Sequence, residues 1–196
     1  MSRQEQKAQT LQRITEAAAR SFRKGGFGGI GVDGLAKAAG VTSGAFYVHY
    51  GSKNEAFCAA IVQGMADLKA GVLYCQETWG QAWWEGFVRF YLGAKRQCDL
   101  SESCSLQSLS PEVARSTPEA REAFEAGLQD VAAAILAGPK SPKAPRDLDA
   151  ACAALAALVG AVTLARAVSS STLADEIAAA TGKALLGPRW SAGESQ

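Results

Sequence analysis

Apolar residues recur at spacings of three and four along most of the chain, the period of helices with one buried face. Between Gln6 and Lys24 the face is Leu11, Ile14, Ala18 and Phe22, and Gly25-Gly26 stops the run. Residues 1 to about 5 read as a flexible arm carrying Arg3. A short pattern follows in Val32, Leu35, Ala36 and Ala39, broken by Gly40, which supplies the left-handed conformation that ends a helix. Thr42 or Ser43 can cap a second short helix. Phe46 is spaced to drop into the first helix's apolar face, and Ala36 is small where two steeply crossing helices need it. Ser52-Lys53-Asn54-Glu55 is a capping box. It opens a long helix through Phe57, Ile61, Met65, Leu68 and Val72, which connects two domains. Glu77 to Gln97 predicts one further helix, rich in aromatics.

Beyond a polar, irregular stretch from Cys98 to Ser110, Ser110-Pro111-Glu112 and Thr117-Pro118-Glu119 each read as cap, first-turn proline and first-turn acid. The first starts a short helix, the second a long one through Phe124, Leu128, Val131 and Ile135. Gly138 to Arg146, with three prolines, is a surface loop. Leu148 to Val168 is the cleanest helix of the second half. Ser171 or Thr172 caps a last one with Leu173, Ile177, Ala180 and Ala184 on a face, and Gly187-Pro188 ends it.

The paired short helices around Gly40 have the layout of a helix-turn-helix, two helices at roughly 90–120° joined by a turn of about 3–4 residues. The second helix of such a unit reads the DNA major groove. Charge agrees modestly. Residues 1–55 hold eight Lys/Arg against four acids, net +4, whereas the remainder holds twelve against fifteen, net −3. A basic head on a mildly acidic body suits a polyanion partner for the head.

Composition excludes several classes. Alanine dominates and strand formers are sparse, so the expected fold is all-α. The five cysteines, at 58, 75, 98, 104 and 152, are odd in number and lack C-x-x-C spacing. A disulfide framework is not expected, and a reducing cytoplasm fits. Arg96 beside Cys98 could lower a thiol pKa, giving a redox switch at Cys98 and Cys104; ordinary thiols are the other reading. The N-terminus is too polar for a signal peptide. The longest uncharged stretch, Ala150 to Ala165, has sixteen residues, short of the roughly 20 of a membrane span. No membrane partner is expected. Residues 26–31 spell G-F-G-G-I-G, but a dinucleotide loop needs a preceding strand, and a charged helix precedes it. The plainer reading is a link with Phe27 packed between the first two helices. The sole histidine, His49, has no companion ligands, so neither metal nor cofactor is expected. No catalytic constellation stands out, and the chain is not expected to be an enzyme.

The run A-A-G-V-T-S-G-A-F-Y-V-H-Y-G-S-K, residues 38–53, resembles the DNA-binding signature of TetR/AcrR-type transcriptional regulators. The resemblance covers about the first 60 residues; Ile30-Gly31 departs from a Thr-Ser or Thr-Thr pair that often caps the second helix and bonds a phosphate there. It implies a three-helix DNA-binding domain over residues 1–50 and a helical ligand-binding and dimerisation domain over 51–187, about nine helices in all. A disordered tail would occupy 188–196. The implied recognition helix is about Ser43 to Tyr50. Thr42, Ser43 and Gly44 would lie at the DNA, since helix N-termini face phosphates and groove edges. Tyr47 and His49 would reach phosphates or thymine methyls, and Lys53 another phosphate. Phe46 and Tyr50 would be core.

In this family the middle helices surround an inducer cavity; Trp79, Trp83, Trp84, Phe87 and Tyr91 recur at helical spacings, and the three tryptophans exceed what one face needs. At least two of them are expected in a pocket; plain core is the alternative. The last two helices, apolar on more than one face, would pair with their copies through Leu155, Leu158, Val162, Leu173 and Ile177. The reading is a homodimeric repressor that leaves a near-palindromic double-stranded operator when a small-molecule effector binds. An activator or ligand-independent DNA-binding protein is one alternative, and a helical enzyme or adaptor on the same scaffold is another.

Overall fold

The computed structural model describes residues 2–188 and Trp190. Among these the fold is all-α: α1 (Arg3–Gly25), α2 (Val32–Ala38), α3 (Ser43–His49), α4 (Lys53–Trp79), α5 (Trp83–Leu92), α6 (Ala94–Gln97), α7 (Ser105–Val113), α8 (Pro118–Ala137), α9 (Leu148–Ala167) and α10 (Ser171–Leu186). Short 3₁₀ turns lie at Gly80–Ala82 and Leu100–Glu102. The chain forms two compact units, one of Met1–Ala66 with Asp99–Gly127, the other of Asp67–Cys98 with Leu128–Gln196. Both α4 and α8 contribute to each unit.

Helix starts follow local chemistry, with shifts. The expected N-terminal arm is helical from Arg3. Ser2 Oγ accepts from Glu5 N at 3.2 Å, and the Glu5 carboxylate accepts from Ser2 N at 2.7 Å, a full capping box. At α4, Ser52 Oγ accepts from Glu55 N, but the Glu55 carboxylate accepts from Gly51 N rather than from Ser52. Ser170, one residue earlier than expected, caps α10.

Three other expectations fail for physical reasons. The aromatic stretch is not one helix, because Gly80 takes a positive φ of 50° and Gly93 separates α5 from α6. Pro111 does not start a helix; it lies inside the last turn of α7, which begins after Cys104. A proline there forfeits one backbone hydrogen bond close to where the helix ends anyway. Trp190, placed in the expected disordered tail, is buried against Gly182, where an added Cβ would strike its indole. Arg189 and residues 191–196 lie outside the described residues.

In the first unit, Ile14, Ala18 and Phe22 of α1 are buried with Leu35, Ala36, Phe46 and Phe57. Phe27 joins them differently from expectation, between α1 and α4. Its ring is 5.9 Å from Phe22 and 5.1 Å from Phe57. Arg23, at the end of α1, donates to Ser101 O at 2.7 Å and to Ser105 Oγ at 3.3 Å. Helix α7 presses close to α4, since a Cβ on Gly64 would collide with Ser105.

In the second unit α9 packs on α5, α6 and α10. Leu155, Leu158 and Val162 are 3%, 0% and 2% exposed within one chain. They are core, not the seam expected between copies. Leu173 is 44% exposed and Ile177 half-buried. By length and composition, Lys53–Gln97 and Leu148–Ala167 are apolar enough to cross a bilayer. The sixteen-residue stretch alone understates this. Core helices of globular proteins meet the same criterion, and one face of α9 is used in that way.

All five cysteines are free. Arg96 does not attend Cys98; it bonds Leu92 O and Asp175. The guanidinium beside the Cys98 sulfur is that of Arg166, at 3.3 Å. Burial pushes the Cys75 thiol up to about 11 from an ordinary 9.0. Iodoacetamide at pH 8 is therefore expected to modify exposed Cys152 well before Cys75, as peptide mapping would show. The same shift removes stability as pH rises from 9 toward 11, because the unfolded chain then releases a proton that the folded one retains.

Candidate DNA-binding site

Gly40 sits at φ 66°, the left-handed turn expected between α2 and α3. Three side chains fix that turn through four polar contacts. Arg13 Nη2 donates to Ala39 O at 3.1 Å and Gly40 O at 3.2 Å. Thr42 Oγ1 caps α3 by accepting from Ala45 N at 3.1 Å. Ser43 Oγ donates to Asp33 Oδ1 at 2.5 Å, tying α3 to α2. Phe46 and Tyr50 are buried, and Tyr50 Oη is 2.6 Å from Thr15 Oγ1. An isolated seven-residue helix is unstable in water; these contacts and the Phe46 anchor hold it.

The opposite face of α3 is bare. Thr42 and Gly44 are exposed, Tyr47 is 55% exposed and Val48 69%. His49 is half-buried at the helix end. Ser43, expected at the DNA, has its hydroxyl proton directed to Asp33, so its first role is to orient the helix. Lys53 is half-buried, with Nζ 4.2 Å from the Phe27 ring centroid. The ring fixes the ammonium at the start of α4. Sequence reasoning missed Val48 and Arg13. The exposed valine beside Tyr47 is readable from the one-residue step along α3, but Arg13 needs the tertiary turn.

An exposed glycine inside a helix costs about 0.5–1 kcal/mol relative to alanine. A Cβ on Gly44 would meet only Thr42 Oγ1, at 3.8 Å. Nothing in the chain requires that glycine, so Gly44→Ala should raise the melting temperature slightly. A loss of operator affinity in the same variant, measured by fluorescence anisotropy, would show that the bare backbone is needed by the bound partner.

Residues 14–60, spanning α1 from Ile14 to the start of α4, match the family model of the bacterial regulatory proteins of the tetR family. The N-terminal domain is a tetR-family helix-turn-helix. Solved structures extend the likeness in fold. The reduced form of Escherichia coli NemR superposes with a TM-score of 0.71 at 20% identity, covering 90% of this chain and 97% of that one. A TetR-family regulator from Cytophaga hutchinsonii gives 0.69 at 18%, covering 94% and 96%. AibR, solved with isovaleryl coenzyme A and operator DNA, gives 0.61 at 19%, covering 91% and 99%. A search of curated proteins returns no match.

The aromatic residues of the second unit divide. Trp83, Trp84, Phe87 and Tyr91 form a buried column with ring centroids 5.5, 5.8 and 5.8 Å apart. Trp79 lies partly exposed over Gly86, where a Cβ would strike its ring. A pocket of about 630 Å³ opens beside the column. Of the five aromatics only Trp83 contributes to its wall, with Ile135, Leu136 and the 138–146 loop.

Proposed function

We propose that the chain is a ligand-responsive repressor that acts as a homodimer on a near-palindromic operator. The observation that carries the reading is the bare Thr42, Gly44, Tyr47 and Val48 face on a rigidly held α3 in a tetR-family head. One such helix contacts too little DNA for useful specificity, so two heads related by a two-fold axis are needed. In this reading copies meet through the solvent-facing sides of α9 and α10, where Ala153, Ala156, Leu164, Leu173 and Ala180 are exposed. A small molecule held in the second unit favours a dimer with wrongly spaced heads, which lowers operator affinity by the same coupling that makes DNA lower ligand affinity. Thr42, Tyr47, His49 and Lys53 contact the backbone or groove edges in this arrangement, and no catalytic step is assigned.

Anisotropy titration of the full chain against DNA upstream of its own gene tests this. Nanomolar binding that competes poorly with random duplex supports it, and equal affinity for all duplexes refutes it. Lys53→Ala should weaken binding alike on all sequences and reduce the salt slope by roughly 0.9 for each phosphate left unneutralised. An unchanged slope would place the Lys53 ammonium away from the DNA backbone.

A further inference from the structure

We infer that the pocket beside Trp83 takes an organic anion, an acid group joined to a hydrocarbon or aromatic body. The inference rests on the ligand-responsive reading above and adds the chemical class of the ligand. The wall is of two kinds. Leu136 and the prolines at 139, 142 and 145 offer an apolar surface over the buried Trp83 and Ile135, while Lys140 and Arg146 supply two cations from the loop. No carboxylate lines the pocket. The nearest acid along the chain, Asp147, is occupied in capping α9, accepting from Ala150 N at 2.8 Å. Among the described residues neither Lys140 nor Arg146 is in an ion pair. Two cations outside any ion pair, beside apolar surface, are complementary to one kind of guest. Its acid group takes charge-assisted hydrogen bonds and its body replaces water on Leu136 and the prolines.

The loop is built in advance for this. Trp83 Nε1 donates to Pro139 O at 2.9 Å, pinning the loop to α5. A Cβ on Gly138 would collide with the Gln76 amide and press on the Trp83 ring, so the chain passes close only because position 138 is glycine. Prolines at 139, 142 and 145 restrict the rest. A wall ordered before binding spares the guest the cost of ordering it.

The test compares three eight-carbon probes on the full-length protein by isothermal titration and Trp fluorescence: octanoate, octanol and octylammonium. Octanoate is expected to bind at least about tenfold more tightly than either of the others. Lys140→Gln/Arg146→Gln should cost octanoate at least about tenfold and leave octanol within about twofold. Both residues are solvent-exposed, so the variant should fold. Arg3→Gln/Lys7→Gln removes the same net charge from the other unit and should change nothing. Equal binding of the three probes, preference for octylammonium, no binding at all, or equal loss in the Arg3/Lys7 control would each overturn the inference. Operator affinity is measured separately. Selective octanoate binding that leaves DNA affinity unchanged sustains the anion site and counts against ligand-triggered release.

Discussion

Leu158→Glu should unfold the second unit. The side chain is 0% exposed, on the α9 face that packs against α5, α6 and α10. Truncating a buried leucine alone costs roughly 2–5 kcal/mol. Glutamate also demands that a carboxylate be buried unpaired or that the helix pull away, and breaking such a core is severe by itself. The sum is a large part of a typical domain's stability of about 5–15 kcal/mol. Thermal unfolding followed by far-UV circular dichroism should show a melting temperature lowered by many degrees, or no cooperative transition. Leu164→Glu is the informative partner. Leu164 is 58% exposed on the same helix, so this variant should melt close to the parent. If the outer side of α9 joins two copies, Leu164→Glu should sediment as a folded monomer and lose operator binding. A Leu158→Glu protein with parental stability would mean that α9 does not pack as described.

The contrast between those two leucines shows where sequence reading stops. In α9 the apolar residues and alanines occupy both sides, so the inner and outer faces look alike in the pattern. Only packing against α5 and α10 distinguishes Leu158 from Leu164. The head is more legible because its signals are local. Gly40 has to turn, Thr42 caps by its own hydroxyl, and Phe46 is the one large apolar residue available to anchor α3. Even there the Ser2 to Glu5 box stands in the sequence, hidden in a polar segment that reads as an arm. Arg13, by contrast, reaches carbonyls 26 and 27 residues away, which no local spacing reveals. The anion-complementary pocket is invisible in the sequence for a related reason. Its cations lie in a proline-rich loop that looks like a connector until Trp83 is seen holding it.

Val48→Glu should abolish sequence-specific DNA binding while leaving the fold intact. At 69% exposure Val48 contributes little to the core, and its neighbour Phe46 still anchors the helix. The substitution therefore should not lower the melting temperature by more than a degree or two. On the bare face of α3, however, Val48 stands next to Tyr47, where an apolar side chain would meet thymine methyls and the groove edge. Losing a good base contact costs roughly 1–3 kcal/mol per head, and a carboxylate brought between two phosphate backbones adds repulsion. In the proposed dimer two heads double the penalty, so affinity for the proposed operator should fall by about 100-fold or more. Val48→Ala separates the two causes. Removing only the methyls should cost less and change the preferred base at the contacted step, measured on a panel of single-base operator variants. Parental affinity in Val48→Glu, in a protein that still binds DNA, would show that α3 enters the groove by another face.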